Sequence, residues 1–364
     1  MEAYTLDNIH TLLFREKLLS PDELVLGEYD VTTINRRNRN LQITTGGERN
    51  YLVKQVQDKT SEHAKTLKNE LVFYKHVAQH MPHVHTLFPK VQYADEEEII
   101  LILDFYKDAS PLWRYYKERC PHDFPLTTAA ATGRLLANFH KSFRNMDKDA
   151  LPFLSEEMPF VFHLHQPHPR ILSFYGQGGY QLIEMIQQDE KLLAQWERAY
   201  KEWQVNSLIH GDIKLDNVIV LPGEDANGSA TVKLIDWEML QYGDIAFDIA
   251  GALQDYIFLW LIMMPDADTA EEMINGAPYP FSALHEALNA YWKAYSHTAD
   301  IDGDVAADLL SRAVFFAGFR ALQTSFEIAS KFDHIPAIAM ILFNLGTSIV
   351  KDAEKAKELL FGLK

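Results

Sequence analysis

The sequence predicts an α+β protein of two lobes, a small β-rich N-lobe over residues 1–103 and a larger, mainly helical C-lobe over residues 104–364. Three observations predict it. Short apolar or alternating runs, the period of strands, crowd the stretch from about Leu24 to Leu103. From about Leu126 onward the apolar residues recur at helical spacing over long segments. Two short strand signals, Asn217 to Leu221 and Thr231 to Trp237, interrupt the helical half and flank a turn at Glu224 to Gly228, so they read as a hairpin set into it.

Within the N-lobe the strongest strand runs are Tyr51 to Val56 and Glu98 to Phe105, and the turn-formers Thr44-Thr45-Gly46-Gly47 precede the first of them. Between these strands, Leu67, Leu71, Tyr74 and Ala78 lie at helical intervals behind a capping serine, Ser61. The C-lobe helices are predicted over Thr127 to Phe143, Gly179 to Trp203 and Val305 to Phe332. No internal repeat or low-complexity tail marks a further domain.

Composition narrows the function classes. A net charge of -17 counts against a nucleic-acid partner, which calls for a basic footprint. The lone Cys120 excludes an intrachain disulfide framework and a cysteine-built zinc site, and suits a reducing cytoplasm. Nothing near Met1 resembles a signal peptide. The apolar stretches Ile249 to Met264 and Ile338 to Val350, interrupted by Gln254, Asp255 and Asn344, read as too short to span a bilayer, so a soluble chain with no membrane partner is expected.

The chemistry concentrates in Ile209-His210-Gly211-Asp212-Ile213-Lys214-Leu215-Asp216-Asn217, followed by the strand Val218 to Val220 and then Ile235-Asp236-Trp237-Glu238. Any one acid or amide here would ordinarily make a loop turn; the ordered set between two strand signals points to a site. In that set the sequence resembles the aminoglycoside phosphotransferase and choline kinase families, whose protein-kinase-like fold carries His-Gly-Asp, four residues, Asn, a hairpin and a D-[FW]-E segment. The resemblance implies a kinase that moves the γ-phosphate of Mg-ATP to a hydroxyl, with ATP between the lobes. Such transfer needs a carboxylate at the acceptor hydroxyl and oxygen ligands that hold magnesium on the phosphates. By resemblance Asp212 is the catalytic base or hydroxyl-orienting group, and Asn217 and Asp236 are magnesium ligands. Lys214 stands where an ammonium would neutralise the transferring phosphoryl group, or is a solvated loop lysine. His210 shapes the loop, and Asp216 has no assigned role.

Downstream, Gly243-Asp244-Ile245-Ala246-Phe247-Asp248-Ile249-Ala250 resembles the G-D-x-x-x-D-[LI]-A segment of those families. There the second aspartate, here Asp248, accepts backbone N–H bonds from the catalytic loop and suits a helix start. The N-lobe supplies Lys54, at the place of the lysine that grips the α- and β-phosphates, and Glu70, whose carboxylate would pair with it. Asp104-Phe105-Tyr106 resembles the hinge whose backbone bonds adenine, and Gly133 to His140 resembles a packing helix of the family. The phosphate-covering loop departs from the family: it reads Arg36-Arg37-Asn38-Arg39 without glycine, so its arginines either donate to phosphate oxygens or make a basic solvated turn. The resemblance runs from about residue 24 to 260.

Other candidates lie outside that set. His163, His165 and His168 lack a cysteine or acid to complete a metal site and read as a proline-rich loop. Arg320, on an otherwise apolar helix face, calls for a carboxylate partner or an anionic ligand. Pro265 to Glu272, with Asp266, Asp268, Glu271 and Glu272, reads as an acidic loop that faces either solvent or a cationic acceptor. The acceptor is expected to be a small hydroxyl compound such as an aminoglycoside, an amino alcohol or a sugar. Two alternatives stay open: a kinase for Ser or Thr of a peptide, including a modified-peptide precursor, and an inactive pseudokinase scaffold, for which Lys54, Glu70, Asp212, Asn217 and Asp236 would have no chemical use.

Overall fold

The computed structural model describes residues 3–35, 39–47, 49–119, 124–144, 146–168, 175–224, 230–265 and 270–363. Two short helices that the sequence pattern did not announce, α1 (Ile9–Arg15) and α2 (Pro21–Val25), open the chain. Ser20 and Glu23 close a capping box at the start of α2. Then come β1 (Tyr29–Asn35), β2 (Arg39–Thr45), β3 (Tyr51–Gln55), α3 (Glu62–His80), β4 (Val91–Asp95) and β5 (Ile100–Asp104). The five strands form one antiparallel sheet in the order β1-β2-β3-β5-β4.

Strand alternation decides what each face of this sheet does. Tyr51, Val53, Ile100 and Ile102 pack against Ile9, Leu12 and Leu13 of α1. Leu101 and Leu103 belong to the other face and pack with α3, and Lys54, the cross-strand partner of Leu101, points that way too. Helix α3 starts where Ser61 Oγ accepts the Ala64 N–H and buries Leu67, Glu70, Leu71, Tyr74 and Val77, a 3.6-residue stripe that includes one carboxylate.

The remainder runs β6 (Ser110–Pro111), α4 (Leu112–Arg119), α5 (Leu126–Phe143), α6 (Gln177–Gln188), α7 (Glu190–Glu202), β7 (Ser207–Ile209), β8 (Val218–Glu224), β9 (Ala230–Leu234) and β10 (Gln241–Gly243). The helices α8 (Ile245–Ile262), α9 (Ala270–Asn275), α10 (Phe281–Ala299), α11 (Gly303–Ala329), α12 (Ala337–Lys351) and α13 (Ala353–Phe361) complete it. β8 pairs antiparallel with β9 and with β6, and β7 pairs with β10. Trp237, fully buried, joins the two halves of the core: its ring lies 4.9 Å from Phe73 of α3 and 4.8 Å from Phe139 of α5.

Three expectations need correction. The periodic stretch from Gly179 to Trp203 is two helices, because Asp189 ends α6 and caps α7 by accepting the Leu192 N–H at 3.0 Å. Glu271 and Glu272 lie in the first turn of α9 instead of in a loop, as suits carboxylates at a helix start, and Asp266 and Asp268 lie outside the described residues. The stretch after Ile249 belongs to α8, whose 18 residues are long and apolar enough to cross a membrane; 83% of that helix is buried inside the protein.

Candidate active site

The loop between β7 and β8 carries Asp212, Lys214 and Asn217, and the turn after β9 carries Asp236. Asp236 sits at φ 68, a left-handed conformation that costs a non-glycine residue about 1 kcal/mol or more and turns its side chain back toward the sheet. There its Oδ1 lies 2.8 Å from Lys54 Nζ, which also donates to both oxygens of Glu70 at 2.9 and 2.8 Å. Glu70 is fully buried and accepts the Trp237 N–H at 3.3 Å as well. Burial works against a charged Lys54, but Glu70 and Asp236 outweigh it and hold its pKa above the ordinary value. Burial pushes the Glu70 carboxyl up, and Lys54 only partly opposes it. Burial works against the charged Asp236 carboxylate too, but Lys54 outweighs it and holds the group below the usual carboxylate range.

Around Asp212 both carboxylate oxygens are engaged. Lys214 Nζ lies 2.5 Å from Oδ2, Asn217 Nδ2 donates to the same oxygen at 3.2 Å and to the Asp212 carbonyl at 2.9 Å, and Arg320 Nη2 lies 3.4 Å from Oδ1. Arg320 reaches in from α11, donates also to the Ile213 carbonyl at 3.3 Å and to Gln323 Oε1 at 3.0 Å, and lies over the Phe247 ring at 5.2 Å. With its amide nitrogen turned to Asp212, Asn217 presents its buried Oδ1 to no protein donor among the described residues. That free oxygen and the Asp236 carboxylate are a donor set suited to a hard divalent cation such as magnesium. Glu70, Asp236 and Glu238 also bring carboxylate oxygens within 4.8 Å of one another.

The loop is braced from below by α8. Asp248 accepts the His210 N–H at 2.7 Å and the Gly211 N–H at 2.9 Å, and His140 Nε2 lies 3.0 Å from it. Gly211 has φ 77, and a Cβ there would stand 2.4 Å from the Met239 carbonyl, so the turn before Asp212 admits only glycine. The buried His210 ring links the strands: its Nε2 pairs with the Ile235 carbonyl at 3.0 Å and its Nδ1 accepts the Asp212 N–H at 3.3 Å, which requires the Nε2–H tautomer. Burial lowers the pKa of His210, in keeping with that neutral ring.

Other sequence candidates fall elsewhere. Arg36, Arg37 and Asn38 lie outside the described residues. Asp104 ends β5, and its N–H and that of Phe105 are taken by the Lys90 and Asn50 carbonyls at 2.9 and 2.8 Å. His163 closes a 3-10 turn, and the His165 ring packs 5.1 Å from that of Trp196. Sequence reasoning missed two participants, His140 behind the loop and Asp255, which accepts the Leu215 N–H at 2.6 Å, whereas the carboxylate partner that Arg320 called for is Asp212. Burial pushes the Asp255 carboxyl up to about 7. The uncompensated Arg320 was the one signal available in the sequence.

Comparison with known proteins gives a consistent answer. The family model described as the phosphotransferase enzyme family matches residues 31–283. Among solved structures, the GDP complex of wild-type aminoglycoside 2'-phosphotransferase-IIIa superposes with a TM-score of 0.54 at 14% identity, covering 95% of this chain and 99% of that one. A choline/ethanolamine kinase family protein from Mesorhizobium loti gives 0.51 at 13% identity, over 96% and 98%. The similarity to both is one of fold, the two-lobed protein-kinase-like arrangement. No match was found among curated protein sequences.

Proposed function

The chain belongs to the phosphotransferase enzyme family, and on that premise we propose that it moves the γ-phosphate of Mg-ATP onto a hydroxyl of a small molecule. The observation that carries this reading is the meeting of Lys54 with Asp236, 182 residues apart in sequence, beside Asp212 and the free Oδ1 of Asn217. Phosphoryl transfer is mostly positioning and charge neutralisation, and these groups supply both.

In this reading Lys54, held by Glu70, binds the α- and β-phosphates. Asn217 and Asp236 hold magnesium, which when bound neutralises charge on the phosphates. Asp212 orients the acceptor hydroxyl and accepts its proton, with Arg320 and Asn217 fixing the carboxylate. Lys214, partly exposed and already beside Asp212, is placed to neutralise the transferring phosphoryl group. His210 and Asp248 keep the loop in shape. Asp104, Phe105 and Tyr106 remain the proposed hinge, and Arg36, Arg37 and Asn38 the proposed phosphate-covering loop.

A mixture of aminoglycosides, amino alcohols, sugars and Ser/Thr peptides, incubated with enzyme and either Mg-ATP or Mg-GTP, tests this by mass spectrometry. The GTP arm is included because one similar structure is a GDP complex. One small molecule should gain the mass of a phosphate, and Lys54→Ala should reduce the gain at limiting nucleotide by about tenfold or more, since one end of the phosphate clamp is lost. A gain confined to peptides would move the substrate class, and no magnesium-dependent nucleotide consumption at all would point to a scaffold.

A further inference from the structure

A cavity of about 280 Å3 lies between the C-terminal ends of α5 and α10, the first turns of α11 and the start of β7, the strand that leads into the catalytic loop. Its walls are in part apolar, with Ile245, Ala299 and Leu309 among them, and its polar groups are unevenly charged. Lys141 and Arg144 stand exposed on its α5 side, and among the described residues neither has a carboxylate within ion-pair distance. Arg312, by contrast, is satisfied, paired with buried Asp244 and with Asp308 at 3.3 Å. The cationic pair is thus the uncompensated charge of the site, in a chain whose net charge is -17. Ser207, also in the wall, is buried and its Oγ has no partner among the described residues.

We propose that this cavity is an effector site for a small organic anion, a carboxylate or phosphate monoester whose charged end meets Lys141 and Arg144 and whose apolar body enters beside Ile245 and Leu309. The volume holds on the order of ten non-hydrogen atoms, judged from roughly 30 Å3 per liquid water. Occupancy would be felt in the active site because the wall and the brace share residues. His140 lines the cavity and contacts Asp248, which holds the His210 and Gly211 N–H groups ahead of Asp212. Ser207 opens the strand that runs into His210, and Ile245 opens α8 itself. A ligand that favours one arrangement of these elements shifts the loop by its differential affinity.

The test uses hexanoate and hexyl phosphate as probes, with hexylammonium as the charge control, on full-length protein whose cleft is filled with Mg and a non-hydrolysable ATP analogue for binding and with Mg-ATP for rates. Calorimetry should show both anions binding and hexylammonium not. Lys141→Glu with Arg144→Glu should weaken the anions by about tenfold or more while leaving the basal transfer of phosphate to water unchanged. Leu309→Trp, which fills the cavity, should also abolish binding. In the unmodified protein, saturating anion should change the rate of transfer to water, and in the double variant it should not. Binding that survives the charge reversal, equal binding of hexylammonium, or binding with no change in rate would each overturn the proposal, as would absence of binding by both anions. Loss of anion binding in Lys54→Ala alone would place the anion in the nucleotide cleft instead. The binding arm does not depend on the acceptor, so it can fail while the phosphotransferase reading stands, and the reverse.

Discussion

Asp212 touches Lys214, Asn217 and Arg320, whereas Asp236 faces Lys54 across the cleft, and this difference separates what their variants should lose. On the proposed roles, Asp212→Asn removes the proton acceptor but leaves Asn217 and Asp236, so Mg-ATP should still bind with near-normal affinity while transfer slows by about 10²–10⁴-fold. Asp236→Asn keeps the shape but not the charge and should lose the magnesium-dependent part of nucleotide binding. Calorimetry with and without magnesium, beside a single-turnover assay, measures both; the reverse pattern would sink the assignment. Arg320→Met should lower kcat with little change in the KM for ATP, because it frees one oxygen of Asp212 without touching the nucleotide side. The lost charge-assisted contacts should also cost about 1–3 kcal/mol of stability by chemical denaturation. An unchanged kcat would reduce Arg320 to a packing residue. The His-Gly-Asp run showed in the sequence where Asp212 would be; nothing there showed which cation would reach it.

At the scale of elements, α8 is the scaffold of the site. Asp244, Asp248, Gly251 and Asp255 recur at intervals of four, three and four, one face of a helix, and three of them bear directly on the loop. Asp248 takes two loop N–H groups, Asp255 takes the Leu215 N–H, and the absent Cβ of Gly251 leaves room for the Ile213 carbonyl, which would otherwise stand 2.4 Å away. Asp244 caps the helix itself, accepting the Ala246 N–H at 2.9 Å. Asp248→Ala should therefore lower the melting temperature and the turnover together, at about 1–3 kcal/mol for each donor left buried and unpaired. A variant with normal melting and normal rate would show the brace to be dispensable. The G-D-x-x-x-D spacing made Asp248 legible in the sequence. Gly251 and Asp255 were not, because α8 is apolar nearly all round and no polar stripe distinguishes the face that meets the loop.

For the molecule as a whole, Asp255 ties stability to pH. Burial raises its carboxyl from an ordinary 3.8 to about 7 in the folded chain, so folding favours the protonated form. Its contribution is complete below about pH 4 and is lost as pH rises through about 7. Asp255→Asn keeps an acceptor for the Leu215 N–H without the charge. Relative to that variant, the native chain should therefore lose on the order of 2 kcal/mol of unfolding free energy from acid to neutral pH, allowing for the water that reaches a partly exposed side chain. Urea titrations across that range measure it, and a constant difference between the two proteins would exclude the effect. By itself the sequence determined the split into a β-rich and a helical half, the loop that bears Asp212 and Asn217 and the turn that bears Asp236, because periodicity and turn chemistry are local properties. Only the tertiary structure decided that Arg320 meets Asp212 from 108 residues away, that His140 backs Asp248, and that α1 covers the far face of the sheet. Those contacts join segments whose own patterns are satisfied by burial alone; α11 is buried on nearly every side, so packing against α8 aims the Arg320 guanidinium at the loop.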